Sequence, residues 1–449
     1  MDKLARSKSH QSSSNEAYEL GKNWSKQAKE RAFLLQEHLI KWFDDEQSGM
    51  QEAIQQSILG TDFSSEDIYF QLSAIKSRLE TGDLVHWVDQ CTSDRPSSDE
   101  SRHWLDAQST DNENIEAYRV TQLRERSHIL CIHAGNLPLV GLQDVIAVLL
   151  AGHCYTGKIS RKDPYLLSSI LSWLIQFGWR EQIQHWTQNT AEIPVNNYDE
   201  VLFAGSESSL SSVRKTLIEA RTLDEETPWL NRIASFSIAY CSSKEAVIEQ
   251  STEFMDALMR HGGKGCRSVG VVVSPVGLNE LRIPLENAMK NVLEQNGSLR
   301  QANTLEQSDA LKQNNSANLK MAEIPLQGGN RSESTRLTYK KAYNIAVDRV
   351  FVDVGDWMIE EHPIEYVPEP SNNRVVYWVH ANQEDLVNLV ERFGSALQSI
   401  YYLGTNASDI KKPYIPSFDI ESIDSAQRPP LYWKPDGIDI LRYLCPFII

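Results

Sequence analysis

The stretch Ser127 to Pro138 reads SHILCIHAGNLP, an apolar and β-branched run that breaks at a Gly-Asn-Leu-Pro turn. Directly after it, Leu142, Val145, Ile146, Leu149 and Leu150 recur at helical spacing and make one apolar face. A strand, a turn and a helix in that order form half of a βαβ unit. The pattern repeats with the helix DPYLLSSILSWLIQFG, opened by Asp163 and Pro164, the strand EVLFAGS, a helix from Ser208 and the strand IASFSIAY. Such alternation predicts an α/β fold with a largely parallel sheet.

Towards the amino end, WSKQAKERAFLLQEHLIKWF and EDIYFQLSAIKSRLETG read as amphipathic helices, and the polar residues up to Asn23 as a loose leader. Towards the carboxyl end the strand VGVVV, the helix NELRIPLENAMKNVLEQNG, the strand RVVYWVH, the helix EDLVNLVERFGSAL and the strand SIYYLG predict a second α/β unit. Within it, residues 296–320 are polar and poor in large apolar side chains, which fits either an exposed helix or a mobile excursion. The tail SAQRPPLYWKPDGIDILRYLCPFII is rich in aromatic and aliphatic residues and should pack against the rest of the chain.

With 449 residues, 41% hydrophobic and 23% charged, the chain can bury two or three cores. Its 44 basic and 61 acidic residues leave a net charge of −17, which opposes binding to nucleic acid or to an anionic membrane surface. The apolar stretch LPLVGLQDVIAVLLAG is interrupted by Gln143 and Asp144 and is too short to span a bilayer. Six cysteines without C-x-x-C pairing, and an amino end without the apolar core of a signal peptide, predict a cytoplasmic, reduced protein.

Cys266 stands between a glycine-rich approach and an apolar run, in RHGGKGCRSVGVVVSP. It has no Cys or His at ligand spacing, so its chemistry as a thiol is either nucleophilic or simply that of a packed side chain. Three other stretches bear on that choice. In AGNLP the Asn136 amide can donate to a developing oxyanion or can serve a turn. In GKISRKDP, Lys158, Ser160 and Arg161 either meet an anionic ligand or are solvated loop residues. In VLFAGSES a strand runs through Gly205 and Ser206 into a helix, a geometry that holds a pyrophosphate on backbone amides or is an ordinary junction.

Taken in order, these residues resemble the aldehyde dehydrogenase superfamily. Its Asn-x-Pro stretch matches Asn136 to Pro138, its Lys-Pro-Ser loop matches Lys158, Ser160 and Pro164, its Thr-Gly-Ser turn matches Gly205 and Ser206, and its Gly-Gly-Gln-x-Cys matches Gly262, Gly263, Lys264 and Cys266. Within the superfamily the chain is most similar to the LuxC-type acyl-CoA reductases. Their GCRS matches Gly265 to Ser268, and their closing pattern matches Gln427, Pro429, Trp433, Asp436, Gly437 and Asp439. The likeness runs from about Ser127 to the end, and more loosely over the helical opening.

The resemblance implies an aldehyde-dehydrogenase-like α/β fold: a helical region over residues 1–100, a Rossmann-type nicotinamide-cofactor domain over 101–237, a cysteine domain over 238–425 and a packing or oligomerisation segment over 426–449. It implies Cys266 as nucleophile, Asn136 and the Cys266 amide as oxyanion donors, and Lys158, Ser160, Arg161, Gly205 and Ser206 around the cofactor. It also implies an acyl-CoA or acyl-carrier thioester as substrate, a homo-oligomer and association with an acyl-activating synthetase. Two departures stand out. The general-base glutamate of the hydrolytic members has no counterpart in PWLNRIASFSIAY, and the ribose-binding Glu-x-Phe-Gly-Pro is missing, IEEHP being the nearest stretch. Without a base to activate water, the thioester is protected from hydrolysis, so the expected direction is reduction to aldehyde. Arg161, where NAD-preferring members carry glutamate, points to NADPH. A dehydrogenase-like scaffold that has lost chemistry, and an ordinary aldehyde or semialdehyde dehydrogenase, are the competing readings.

Overall fold

Strand pairing divides the chain in two. In the computed structural model, which describes residues 2–93, 126–294, 329–371, 374–404 and 420–445, Met1–Ile233 with Pro429–Ile449 form one unit and Ala234–Arg428 the other. The polar stretch 296–320 lies outside the described residues.

The first unit opens with four helices, α1 (Asp2–Asp44), α2 (Met50–Gly60), α3 (Ser65–Glu80) and α4 (Asp83–Ser93). The leader expected to be loose is the first part of α1, a segment without proline and without glycine before Gly21. Trp24, Ala28, Ala32, Leu35, Leu39 and Trp42 bury one face of that helix. In α3 the Ser64 hydroxyl caps the Asp67 amide, and Ile68, Leu72, Ile75 and Leu79 make the buried stripe.

Then follow β1 (His128–Ile132), α5 (Leu142–Ala151), β2 (Cys154–Lys158), α6 (Leu166–Gln176), β3 (Ile183–Thr187), β4 (Glu200–Ala204), α7 (Glu207–Glu219) and β5 (Trp229–Arg232). The five strands lie in the order β3-β2-β1-β4-β5 and every pair is parallel. The winding reverses between β1 and β4, which opens a crevice at the carboxyl ends of those strands. Helix α5 is apolar nearly all round because the sheet covers one side and α1 another. Trp24 Nε1 donates to the Ala151 carbonyl at 3.3 Å and Arg31 Nε to that of Leu150 at 2.9 Å. From the far end of the chain, α13 (Ile440–Leu444) packs on α5, and Asp439 at its cap accepts from Trp87 Nε1 at 2.9 Å.

The second unit holds β6 (Phe236–Cys241), α8 (Lys244–Glu249), α9 (Ser251–Met259), β7 (Val269–Ser274), α10 (residues 278–294), α11 (Gly329–Ala346), β8 (Phe351–Val354), β9 (Trp357–His362), β10 (Val375–His380), α12 (Leu386–Phe393), β11 (Leu397–Leu403) and β12 (Ile420–Ser422). Its sheet runs β12-β11-β6-β7-β10-β9-β8, parallel throughout except for the β8–β9 hairpin at one edge. The stretch IASFSIAY is one strand in the sequence but not in the structure. Its first three residues follow β5, and only Phe236 onward pairs, in the other sheet. A boundary at 237/238 would cut β6, whereas the division falls between Ile233 and Ala234.

Candidate active site

Asn136, Lys158, Gly205 and Ser206 come together at the carboxyl ends of three neighbouring strands. Ile132, the last residue of β1, is in register with Lys158 on one side and Phe203 on the other. Beyond β1 the chain turns through residues 136–141 into α5, and beyond β2 it loops through Ser160 and Arg161. The His133 amide donates to the Lys158 carbonyl at 3.0 Å, which joins the two loops at their base. They stay joined further out: a Cβ on buried Gly135 would lie 2.4 Å from the Ser160 Cβ, so only glycine permits the approach.

The turn that carries half-buried Asn136 contains a strained residue. Leu139 is held at φ 58°, in the left-handed region, at a cost on the order of 1 kcal/mol for a leucine. Its amide donates to Asp163 Oδ2 at 2.7 Å. Asp163 therefore does not cap α6, as its place before Pro164 suggests; the Tyr165 cap of that helix makes no side-chain bond. Burial pushes the Asp163 carboxyl up from an ordinary 3.8 to about 6, against the pull of the Leu139 amide. The difference costs the folded protein about 3 kcal/mol above that pH and is withdrawn as the pH falls from about 6 to about 4.

Beneath this turn lies a charged pair that the sequence hides. Arg232, the last residue of β5, grips Asp144 of α5 with both terminal nitrogens, 2.7 Å to each carboxylate oxygen, and both side chains are buried. Burial opposes the Asp144 charge, but Arg232 outweighs it and draws the carboxyl down to about 2. His133 Nδ1 lies 3.4 Å from Asp144 Oδ2, and its Nε2 meets the Tyr155 hydroxyl at 2.9 Å. The neighbouring Gln143 donates to the Leu431 and Trp433 carbonyls, and Asp436 Oδ2 accepts the Ile233 amide at 2.9 Å. From Pro429 onward the closing pattern thus clasps this unit.

Lys158 is half-buried, and its proton is disfavoured first by burial and then by the guanidinium of Arg161. An anion beside half-buried Lys158 would offset both effects, so this lysine fits a phosphate-bearing cofactor. The Ser206 hydroxyl is engaged as the cap of α7, accepting the Ser209 amide at 3.3 Å. The helix amides beyond it face the crevice end of β4, with exposed Glu207 in the first turn.

In the second unit Cys266 sits half-buried on a turn closed by the Ser268 amide on the Gly265 carbonyl at 2.9 Å. The approach to it is left-handed at three successive residues, His261, Gly262 and Gly263. A Cβ on Gly263 would press on the Trp357 ring at 3.0 Å. The Cys266 carbonyl accepts from Ser237 Oγ at 3.0 Å. Next to it, buried Arg267 donates through Nε to the Ala426 carbonyl at 2.7 Å and through Nη2 to that of Ser425, with its guanidinium 5.8 Å from the centre of the Tyr401 ring. The cysteine thus rides on a turn pinned from both sides.

Neither carboxylate of IEEHP is idle. Glu360, fully buried, is held by Lys340 at 2.8 Å, His362 at 2.9 Å and Asn344 at 2.6 Å; burial opposes its charge, but these partners bring it down to about 2. Glu361 Oε2 accepts the Leu278 amide at 2.7 Å and so caps α10.

The family model of acyl-CoA reductase (LuxC) matches residues 93–409. The chain belongs to the LuxC acyl-CoA reductase family. It is therefore an oxidoreductase, acting in acyl-CoA and aldehyde chemistry with a nicotinamide cofactor. No curated protein matches it. Among solved structures it is similar to methylmalonate-semialdehyde dehydrogenase from Oceanimonas doudoroffii, at 12% identity and a TM-score of 0.55 over 94% of this chain and 85% of that one. It is also similar to a point mutant of betaine aldehyde dehydrogenase from Staphylococcus aureus in complex with NAD+, at 12% identity and a TM-score of 0.50 over 86% of this chain and 74% of that one. These likenesses show the aldehyde dehydrogenase fold. Among the described residues no helix is long and apolar enough to cross a membrane.

Proposed function

We propose that this LuxC-family chain reduces a fatty acyl-CoA, or the corresponding carrier-bound thioester, to the aldehyde with NADPH through an acyl-enzyme on Cys266. The observation that carries the reading is the pinned turn from Gly265 to Ser268, which presents one half-buried thiol where the family keeps its cysteine. The Cys266 thiolate attacks the thioester carbonyl, and the amides of Asn136 and Cys266 stabilise the oxyanion. The bond from carbon to the CoA sulfur breaks, and CoA leaves with a proton. A bound nicotinamide supplies the hydride that converts the acyl carbon to a thiohemiacetal. That adduct collapses to aldehyde and restores the Cys266 thiolate. One acyl-CoA, one NADPH and one proton give one aldehyde, one CoA and one NADP+.

Lys158 and Arg161 are the residues we assign to the adenosine ribose, with Ser160 beside them and the pyrophosphate at Gly205 and Ser206. The charge of Arg161, which adds to burial in disfavouring the Lys158 proton, supports the 2′-phosphate form, because the extra anion would offset it. The protein is expected to turn over acyl-CoA with NADPH at least about tenfold more efficiently than with NADH, a difference of about 1.4 kcal/mol. Arg161→Glu should reverse or erase that ratio. An unchanged ratio removes Arg161 from the site, and a native preference for NADH overturns the cofactor assignment. Acid rather than aldehyde as the product would favour an ordinary aldehyde dehydrogenase. We place the reaction in the cytoplasm, in a homo-oligomer served by an acyl-activating synthetase; the six cysteines, none of them in a C-x-x-C pair, support a reducing compartment.

A further inference from the structure

We infer that Asp163 positions Asn136, acting through the Leu139 amide to hold the turn between β1 and α5 in its oxyanion-binding shape. The inference rests on the role proposed above for Asn136. Leu139, three residues beyond Asn136, stands at φ 58°, and its amide is bound by a buried carboxylate at 2.7 Å. Asp163 itself belongs to the loop of Lys158, Ser160 and Arg161, where its own amide donates to the Ser160 carbonyl at 3.2 Å.

The two loops thus meet at three levels: His133 on Lys158, Gly135 against Ser160, and Leu139 on Asp163. The first is a backbone bond that most residues could make, and the second depends only on the missing side chain of Gly135. The third requires a side-chain acceptor of one length at one place. An asparagine would close the same bond with a neutral oxygen, yet the chain keeps a carboxylate whose second oxygen, Oδ1, has no hydrogen-bond partner among the described residues. Charge-assisted bonds are shorter and stronger, which suits an acceptor that must hold a residue against its own backbone preference. Strain and a poorly solvated charge gathered at one turn mark a place where geometry is maintained at the expense of stability.

The test is a double-mutant cycle read on the acylation step alone, as CoA released in the first turnover of acyl-CoA without nicotinamide. Asn136→Ala should slow this step on the order of a hundredfold, and Asp163→Ala on the order of tenfold. In the combined variant the Asp163 substitution should add nothing, because the residue it positions is gone. If Asp163→Ala does not fold, Asp163→Asn serves in the same cycle, with an expected loss of a few-fold that likewise vanishes beside Asn136→Ala. Losses that multiply would show that Asp163 acts on something other than Asn136 and would overturn the inference while leaving the reaction scheme standing. A normal rate in Asn136→Ala would remove the oxyanion role of Asn136, and this inference with it.

Discussion

Cys266→Ala protein given labelled acyl-CoA is expected to carry no acyl label and to form no aldehyde, a loss of more than about 10⁴-fold as for other enzymes deprived of their nucleophile. Nothing else on the Gly265–Ser268 turn replaces the thiol, since Arg267 and Ser268 are buried and Arg267 is bound to the Ser425 and Ala426 carbonyls. Wild-type protein without NADPH should keep the label on Cys266. The stretch PWLNRIASFSIAY contains no acid, so no carboxylate within it can activate water. Aldehyde from the alanine variant would end the assignment, and quick release of free acid from the wild type would reveal a base elsewhere in the chain.

Asp144→Ala should destabilise the first unit by about 3–5 kcal/mol, the usual result of leaving a buried guanidinium without its partner. Arg232 would lose both 2.7 Å bonds in a buried site. The combined change Asp144→Leu with Arg232→Met should recover much of that loss, because an apolar pair of similar volume fills the space without charge. The pH dependence follows from the depressed carboxyl. Its contribution is whole at neutral pH and above the unfolded value near 4, and it is lost as the pH falls towards about 2. Urea unfolding of the three proteins, followed through the tryptophans that line α1 and α4, gives the measurement. A double variant no better than Asp144→Ala would show that the pair serves more than its own charge.

The elements that could be read from the sequence are those whose apolar pattern is local. Strand β1 announces itself in ILCIH and α5 in its repeating leucines and valines, because each is buried along nearly its whole length and so carries an almost unbroken apolar run. Strand β3, IQHWT, buries only Ile183 and Thr187 at the sheet edge, so it carries no run to detect. Strand β9 holds two adjacent glutamates and reads as surface; Glu360 is inside only because Lys340, Asn344 and His362 surround it. The site divides the same way. Cys266, Asn136 and Lys158 stand out as candidates in short motifs, whereas Asp144 shows only as an interruption in an apolar helix, without any hint of Arg232, 88 residues away. Asp163 looked like a helix start. Only the fold shows that its carboxylate turns the other way.

The return of residues 429–445 to the first unit has a consequence for biosynthesis. A ribosome finishes the strands and helices of that unit up to Ile233, and then makes all of Ala234–Arg428 before the clasp of Asp436, Asp439 and α13 emerges. At about 5–20 residues per second those roughly 200 residues take on the order of 10–40 s. For that interval the flank of α5 that will receive Leu441 and Leu444 stays bare, a sticky surface on a nascent chain. The unit begun first is completed last, so translation speed and chaperone supply should govern its yield more than that of the unit inserted within it.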